Sequence, residues 1–513
     1  LDAETQRTLE AASVAGVEFS TPALAAGLEE DPQVVEARCN ELARQRQYIQ
    51  ECGVQELPNG EVVTRFGFVH ALYQNVLYDR LPVGRRVKLH RLIGERGEEV
   101  FGKRAVEISA ELAMHFERGR DYTRAAHYFK EGANNAIRRF AYQEAVDLAR
   151  RGIELLEKLP ETRETLNEAL CLHLTLGVPL IAIEGYAAPS VGMVYMRARD
   201  LYEQLGESPD VSEVFWGLWT FQTLSAELET ARQLAEKFLE LGQRLPYAGI
   251  TMRAHWALEI TFMHLGNFEL ALEHYEKALA LYEPEAHRDD SFLYALNPGV
   301  AMPCFAAWAL WCLGRSDEAV KHIDKALALA RELSEPQGLA HAYFFATVLY
   351  QWRRDTGLAQ QYAEAAMEIS AQHGLVMYEA MASAMHGWTL IEQGHENEAI
   401  DQIREAIAAI DATSTSLVRP HGLGLLALAL SKASQTDEAL RVLNEALAMV
   451  DDKGERYYEA ELYRLKGELL INKDTVEAER CFKRSLAIAE SQKAKAWQLR
   501  TETSLARLSC KTK

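Results

Sequence analysis

The chain has 513 residues, with 55 lysines and arginines against 75 aspartates and glutamates, a net charge of −20. At 48% hydrophobic and 25% charged residues it is too apolar and well mixed for disorder, and too acidic for a default nucleic-acid binder. Its uninterrupted apolar runs, such as Gly422 to Leu430, fall short of the ~18 residues of a membrane span, which argues against a membrane partner.

Residues 1–20 lack a basic start with an apolar core behind it, so no signal peptide is expected. The chain begins at Leu1 rather than Met and reads as a piece of something longer. Seven cysteines form an odd set with no CxxC and no metal-type spacing, as reduced thiols of a cytoplasmic protein would.

Along the chain, helical patterns at 2–15, 21–28 and 32–46 come first. Tyr48-Ile49-Gln50-Glu51, a Pro58-Asn59-Gly60 turn and the β-branched run from Glu61 to Phe66 then make a hairpin. Three helices followed by a hairpin is the order of a winged helix. Phe66-Gly67-Phe68-Val69-His70 leads into a helix from Ala71 to Arg80. A basic amphipathic helix with Arg85, Arg86, Lys88, His90 and Arg91 follows Pro82.

Beyond residue 105 the chain repeats itself. A small residue, a large one four later and a small one three after that recur at Ala231/Ala235/Phe238, Ala271/Tyr275/Ala278, Ala319/Ile323/Ala326, Ala359/Ala363/Ala366, Ala399/Ile403/Ala406, Ala439/Leu443/Ala446 and Ala478/Phe482/Ser485. The leading alanines stand 40, 48, 40, 40, 40 and 39 residues apart, and Val191/Tyr195/Ala198 lies 40 before the first. Gly266, Gly314 and Gly394 sit five residues upstream of their alanines, where a helix–helix turn belongs. In residues 399–410 the apolar positions follow i, i+3, i+4, i+7, one face of a helix, and charges take the other. A single helix pair cannot bury its own stripe, so pairs must stack.

This arrangement resembles tetratricopeptide repeats, with a period near 40 in place of the usual ~34. The stretch from Phe66 to His90 resembles the winged-helix module of STAND signal-transduction ATPases, and the order of winged helix then long-period repeats resembles the C-terminal part of bacterial members carrying adenylate/guanylate cyclase or LuxR-type output domains. The expected fold is all-α: a right-handed superhelix of repeat hairpins over 105–513, preceded by a small winged-helix domain and linker helix over 1–104. The resemblance implies an upstream nucleotide-binding domain in cis. ATP or ADP and Mg would belong to that domain, because no G-x-x-x-x-G-K-[ST] occurs in this chain. It also implies a role for His70, which matches a histidine after the wing that contacts the β-phosphate of ADP. The alternative for His70 is a cap on the Ala71 helix.

Other chemistry finds little support. Residues 1–100 hold 11 Lys/Arg and 16 Asp/Glu, a net of −5, which argues against nucleic acid as a partner. Fifteen histidines lie without metal-ligand spacing, and no nucleophile elbow occurs, so no catalytic and no metal residues are expected, and the chain reads as a non-enzyme. The first helices of the repeats are rich in aromatics. Trp216, Trp219, Trp256, Trp308 and Tyr343 are candidates to line a concave ligand groove, with ordinary inter-helix core as the competing reading. Tyr186 adds to them from the non-helical Gly185–Pro189 linker. His287, Arg288 and Asn297 come from the insertion behind the one 48-residue spacing. The resulting expectation is a regulatory module that senses a protein, peptide or small molecule in the groove and relays it through the winged helix. A protein-docking scaffold without a small-molecule ligand, and part of an ATP-binding or cyclase-linked enzyme with its catalytic domain elsewhere, are the alternatives.

Overall fold

The computed structural model describes residues 2–206, 211–245, 247–287 and 296–511. The chain divides into two compact units, residues 1–183 with 200–206, and 184–199 with 207–513. The break falls well beyond residue 104, so the first unit carries helical hairpins of its own.

The first unit opens with helices Ala3–Ala15, Thr21–Leu28 and Pro32–Gln45. Asp2 and Asp31 start two of them by accepting from the Thr5 and Gln33 amides at 2.8 Å. Strands Ile49–Glu56 and Val62–Phe68 form the expected hairpin, joined by the turn at Gly60 (φ +83°). A three-residue strand, Glu18–Ser20, pairs antiparallel with Val62–Phe68 and places Phe19 opposite Phe66. It is too short for a period-2 pattern to show. Phe19, Leu24, Val35, Ile49, Phe66, Phe68, Leu89 and Ile93 close the core beneath the sheet. Helices Ala71–Arg80 and Val83–Phe101 follow as the sequence indicates, then helical hairpins from Ser109 onward.

Helix Arg163–Glu184 corrects the reading of apolar runs. It is long and apolar enough to cross a membrane by length and composition, with a mean hydropathy of 1.6 over its best window and a third of that window buried. Glu168 and His173 interrupt the run and lower its average, which still reaches 1.6 because leucine and isoleucine dominate the window. Leu170, Leu172, Leu176 and Leu180 are its buried side.

The second unit is a tetratricopeptide-like helical superhelix. Its first helices are Val211–Leu224, Ala248–His264, Pro298–Cys312, Pro336–Arg353, Val376–Gln393, Arg419–Lys432, Glu459–Leu470 and Lys495–Lys511. The second helices between them are Leu228–Arg244, Phe268–Leu281, Ser316–Leu333, Thr356–His373, Glu396–Ala412, Thr436–Lys453 and Thr475–Ser491. Every repeat alanine lies on a second helix and is buried, because a larger side chain there would hold its two helices apart. The residue five positions upstream is left-handed in six successive repeats. Gly266, Gly314 and Gly394 take that conformation easily, and Ala226, Arg354 and Ser434 adopt it at φ +59°, +62° and +64°. The extra eight residues fall between Phe268–Leu281 and Pro298–Cys312, as the spacing predicts.

What the repeat pattern does not reveal is how tightly the spiral winds. The Leu224 carbonyl, at the end of one first helix, accepts from the Ser416 and Leu417 amides at 2.8 and 3.2 Å. One repeat on, the His264 carbonyl accepts from Arg456 and Tyr457 at 2.8 and 3.2 Å. Both bonds connect a hairpin to the loop five hairpins later, and both satisfy carbonyls that a helix C-terminus leaves open. Successive turns of the spiral are therefore in direct contact.

Candidate functional site

The candidate site is the inner face of this spiral. Helix Pro298–Cys312 is buried along its whole length, which requires neighbours on every side. Those neighbours come from distant repeats. Trp308 stacks on Phe345 with centroids 4.1 Å apart, meets Trp352 at 5.2 Å, and lies 6.0 Å from Tyr457. Trp311 meets Trp352 at 5.0 Å and Trp497 at 4.7 Å. His421 stacks on Tyr458 at 4.0 Å. Rings of first helices up to five repeats apart thus meet across the axis, and the groove expected there is packed with the chain's own side chains.

Polar groups thread this interior. Glu455 is 2% exposed; its carboxylate accepts from the Val418 amide at 2.9 and 3.1 Å and lies 3.2 Å from His264 Nδ1. Glu461, equally buried, receives Arg464 at 2.7 and 2.8 Å and Arg500 at 3.0 Å. Although burial opposes its charge, the two guanidinium groups hold its carboxyl down at about 2. Arg500 also lies between the Trp311 and Trp497 rings, 5.2 and 4.9 Å from their centroids, and donates to the Trp352 carbonyl. His341 and His421 each face a tyrosine hydroxyl, Tyr378 and Tyr457, from Nδ1 at 3.1 Å. Burial depresses both imidazoles to about 3, so they are neutral at physiological pH.

Some of these groups lack partners. Among the described residues, His341 Nε2, His421 Nε2, Gln351 Oε1 and the Nε1 atoms of Trp256, Trp352 and Trp388 are buried without a hydrogen-bond partner. Burial pushes the Glu259 carboxyl well above the usual carboxylate range, against the lowering effect of a backbone hydrogen bond from Ala306.

The sequence candidates distribute as follows. Trp216, Trp219 and Trp256 come together, with centroids 4.8 and 4.3 Å apart, and Trp219 donates to Thr261 at 2.8 Å. These three and Trp308 are buried, so they form inter-helix core rather than an open groove. The insertion residues close their own loop. Asn297 accepts from the Gly299 amide at 2.9 Å and from Tyr282 at 3.1 Å, while His287 stacks on Tyr282 at 5.6 Å. Arg288 lies outside the described residues. Tyr343 is half-buried and stacks on Tyr362 at 6.1 Å. Tyr186 is half-buried and receives Gln337 Nε2 at 3.3 Å. In the first unit His70 is exposed and caps helix Ala71–Arg80, its Nδ1 accepting from the Leu72 amide at 3.1 Å. That bond puts the ring proton on Nε2, facing outward.

Sequence reasoning overlooked Glu259, His264, His341, His421, Glu455, Glu461, Arg464, Trp497 and Arg500. One signal was available: His341 and His421 stand two repeats apart, with Tyr378 and Tyr457 following at 37 and 36 residues.

Comparison with known proteins agrees with the repeat architecture. A tetratricopeptide-repeat family model matches residues 254–289. An uncharacterised protein of Rhizobium meliloti is 24% identical over 466 residues, 87% of this chain and 43% of that protein. The chain thus spans less than half the length of this curated relative. Among solved structures, a Rap protein complexed with Competence and Sporulation Factor is 13% identical, with a TM-score of 0.53 over 72% of this chain and 99% of that one. A STAND protein with a tetratricopeptide-repeat sensor from Pyrococcus horikoshii, also 13% identical, aligns over 99% of this chain and 65% of its own with a TM-score of 0.37, too low to carry an argument. Repeats of the matched family are typically scaffold or sensor modules.

Proposed function

We propose that this chain is the sensing and relay part of a STAND-type signalling ATPase, and that its repeat unit rests in a closed state. The observation that carries this reading is the filled axis: aromatic rings and polar atoms without partners, held behind a small set of bonds between turns. An effector offering acceptors to the Nε1–H groups of Trp256, Trp352 and Trp388 would bind the parted spiral better than the closed one. Only such a difference in affinity shifts the balance, with about 1–3 kcal/mol typical of such coupling. The Rap protein of similar fold, captured with Competence and Sporulation Factor, supports a peptide or protein effector.

The N-terminal topology is read as a winged-helix relay. Helix Ala71–Arg80 buries no residue, and Val69, Leu72, Tyr73 and Val76 leave an apolar surface uncovered around His70. That surface suits a nucleotide-binding domain in cis, with His70 Nε2–H as donor to a phosphate. The sequence has no phosphate-binding glycine loop of the G-x-x-x-x-G-K-[ST] type, so the triphosphate and Mg are assigned to that domain. A scaffold reading is favoured by the open acidic cleft of about 580 Å³ lined by His386, Glu398, Asp401 and Glu405, which suits a basic segment of a partner.

Small-angle scattering of the chain, titrated with candidate peptides and proteins, tests the proposal. Effector binding is expected to enlarge the radius of gyration. A ligand that binds without expansion favours the scaffold. In a chain that includes the nucleotide-binding domain, His70→Ala is expected to weaken ADP retention.

A further inference from the structure

Helices Ala71–Arg80, Val83–Phe101 and Ser109–Arg118 meet inside the first unit around a hydrogen-bonded row of three rings. The Tyr78 hydroxyl oxygen lies 3.0 Å from His90 Nε2, and His90 Nδ1 lies 3.0 Å from His115 Nδ1. Both imidazoles are buried. Burial and the charges of His115, Arg118 and Arg86 hold His90 down at about 3, and burial and Arg118 hold His115 at about 4. Both rings are therefore neutral at physiological pH, and one proton lies between the two Nδ1 atoms. That proton comes from His115. If His90 supplied it, His115 would carry its own proton on Nε2, an atom buried without a hydrogen-bond partner. An unpaired N–H is costlier there than a bare lone pair. His90 then accepts at Nδ1 and donates from Nε2 to the Tyr78 oxygen, which leaves the Tyr78 hydroxyl proton to be given elsewhere.

Two guanidinium groups share the same ring. Arg86 and Arg118 lie over Tyr78, 5.2 and 5.8 Å from its centroid. Tyr78 and Arg86 are half-buried and Arg118 is exposed, so all three are within reach of a ligand. Among the described residues neither arginine has a carboxylate partner. Their charged neighbours are already committed. Arg85 pairs with Glu10 at 3.3 Å, Lys88 with Glu29 at 2.6 Å and Glu117 with Arg151, while Arg91 donates to the Gly119 carbonyl at 3.2 Å. We propose that Arg86, Arg118 and the Tyr78 hydroxyl form a binding site for the phosphate group of a small molecule. One guanidinium fork is enough for a carboxylate, whereas two forks and a hydroxyl match the three oxygens and double charge of a phosphate monoester. With Arg85 and Lys88 neutralised by acids, no basic track leads away from the site, as a nucleic-acid backbone would need. The site is distinct from His70, which caps the far end of the same helix about 12 Å from Tyr78. It stands independently of the relay role proposed above.

The test titrates the whole 513-residue chain with inorganic phosphate, ADP and adenosine by isothermal calorimetry, in a phosphate-free buffer of low ionic strength. Phosphate and ADP are expected to bind, and adenosine is not. The double variant Arg86→Gln/Arg118→Gln is expected to bind phosphate at least tenfold more weakly. Tyr78→Phe keeps the ring beneath both guanidinium groups and removes only the hydroxyl, and at least a threefold loss is expected. His70→Ala should leave phosphate binding unchanged. ADP binding tenfold tighter than phosphate assigns the group to a nucleotide, and equal affinities assign it to phosphate itself; both sustain the site. No heat from either ligand up to about 10 mM overturns it. So does binding by the double variant or by Tyr78→Phe that equals binding by the unaltered chain. Where circular dichroism shows the double variant unfolded, Arg86→Lys and Arg118→Lys take its place. These keep the charge and lose the fork, and are expected to bind at least threefold more weakly; unchanged binding overturns the proposal.

Discussion

Helix Ala71–Arg80 has apolar side chains at six of its ten positions and Pro298–Cys312 at twelve of its fifteen, yet the first buries none of its residues and the second buries all fifteen. Composition is only part of the difference. Around Ala71–Arg80 the first unit closes its core with other elements and leaves Leu72, Tyr73 and Val76 in solvent. Around Pro298–Cys312 the chain returns five hairpins later and covers what a single turn would leave open. Apolar exposure in this protein therefore reports where the spiral meets itself, and an exposed apolar face marks a place that the chain's own repeats do not reach.

The largest effect should come from the axis. Trp308→Ala leaves a cavity shared by Phe345, Trp352 and Tyr457, and is expected to destabilise the second unit by about 3–5 kcal/mol in chemical denaturation. Leu72→Ala on the exposed helix is expected to change stability by less than about 0.5 kcal/mol. Comparable losses at the two sites would mean that the axis is open in solution. Next in size is Glu455→Ala, which strips a buried acceptor from the Val418 amide and His264, at about 2–3 kcal/mol. If the bonds between turns hold the spiral closed, this variant also enlarges the radius of gyration, whereas Trp308→Ala loosens packing without parting the seam.

Acid should weaken the closed axis in a defined window. His341 and His421 titrate near 6.5 when unfolded and at about 3 when folded, so between those values the unfolded chain binds more protons and stability falls as pH falls. By pH 5 each fully depressed histidine costs about 2 kcal/mol relative to neutral pH. Glu461, at about 2 when folded, adds a loss only below about 4.5. Glu259 runs the other way: its raised value makes its contribution full below about 4.5 and progressively lost as pH rises. Denaturation midpoints for the unaltered chain and for a His341→Phe/His421→Phe variant, taken from pH 7 to pH 5, check the sign. The variant should show a shallower fall. The first unit holds its own depressed pair, His90 at about 3 and His115 at about 4, with Nδ1 atoms 3.0 Å apart, and so should keep part of the acid sensitivity.

Much of this architecture could be read from the residues, for reasons that also explain what could not. The alanines at 319, 359, 399 and 439 mark second helices because helix contact is a short-range requirement that repeats every 40 residues. The Ala71 helix, the hairpin around Gly60 and the insertion before Pro298 are likewise local events with local signals. The tryptophan candidates lie in core rather than in an open groove because their burial is tertiary: Trp308 packs on Tyr457, 149 positions away, a partner that periodicity cannot name. Glu455 looks like a solvated carboxylate on a polar loop until His264 arrives from 191 positions upstream. Tyr186 was visible only as an interruption of the helical pattern, and its seat on Gln337 belongs to tertiary structure.

The smallest effect expected lies on the rim of the same seam, and it separates two accounts of what holds the turns together. Lys453 pairs with Glu227, and one repeat on Lys493 pairs with Glu269 at 2.5 Å. All four side chains are substantially solvated, with Lys493 and Glu269 64% and 59% exposed. Water screens such pairs and their long side chains lose rotamer freedom in making them, so Lys453→Ala and Lys493→Ala should each cost about 0.5 kcal/mol or less. The same small loss should appear on raising salt to about 0.5 M, where the screening length shrinks to a few ångströms. Losses that match Glu455→Ala, or a spiral that expands in salt alone, would make the seam an electrostatic clasp on the surface. Its strength would then come from charge on the rim, and the buried Glu455 and the aromatic axis would be passengers of a closure made outside.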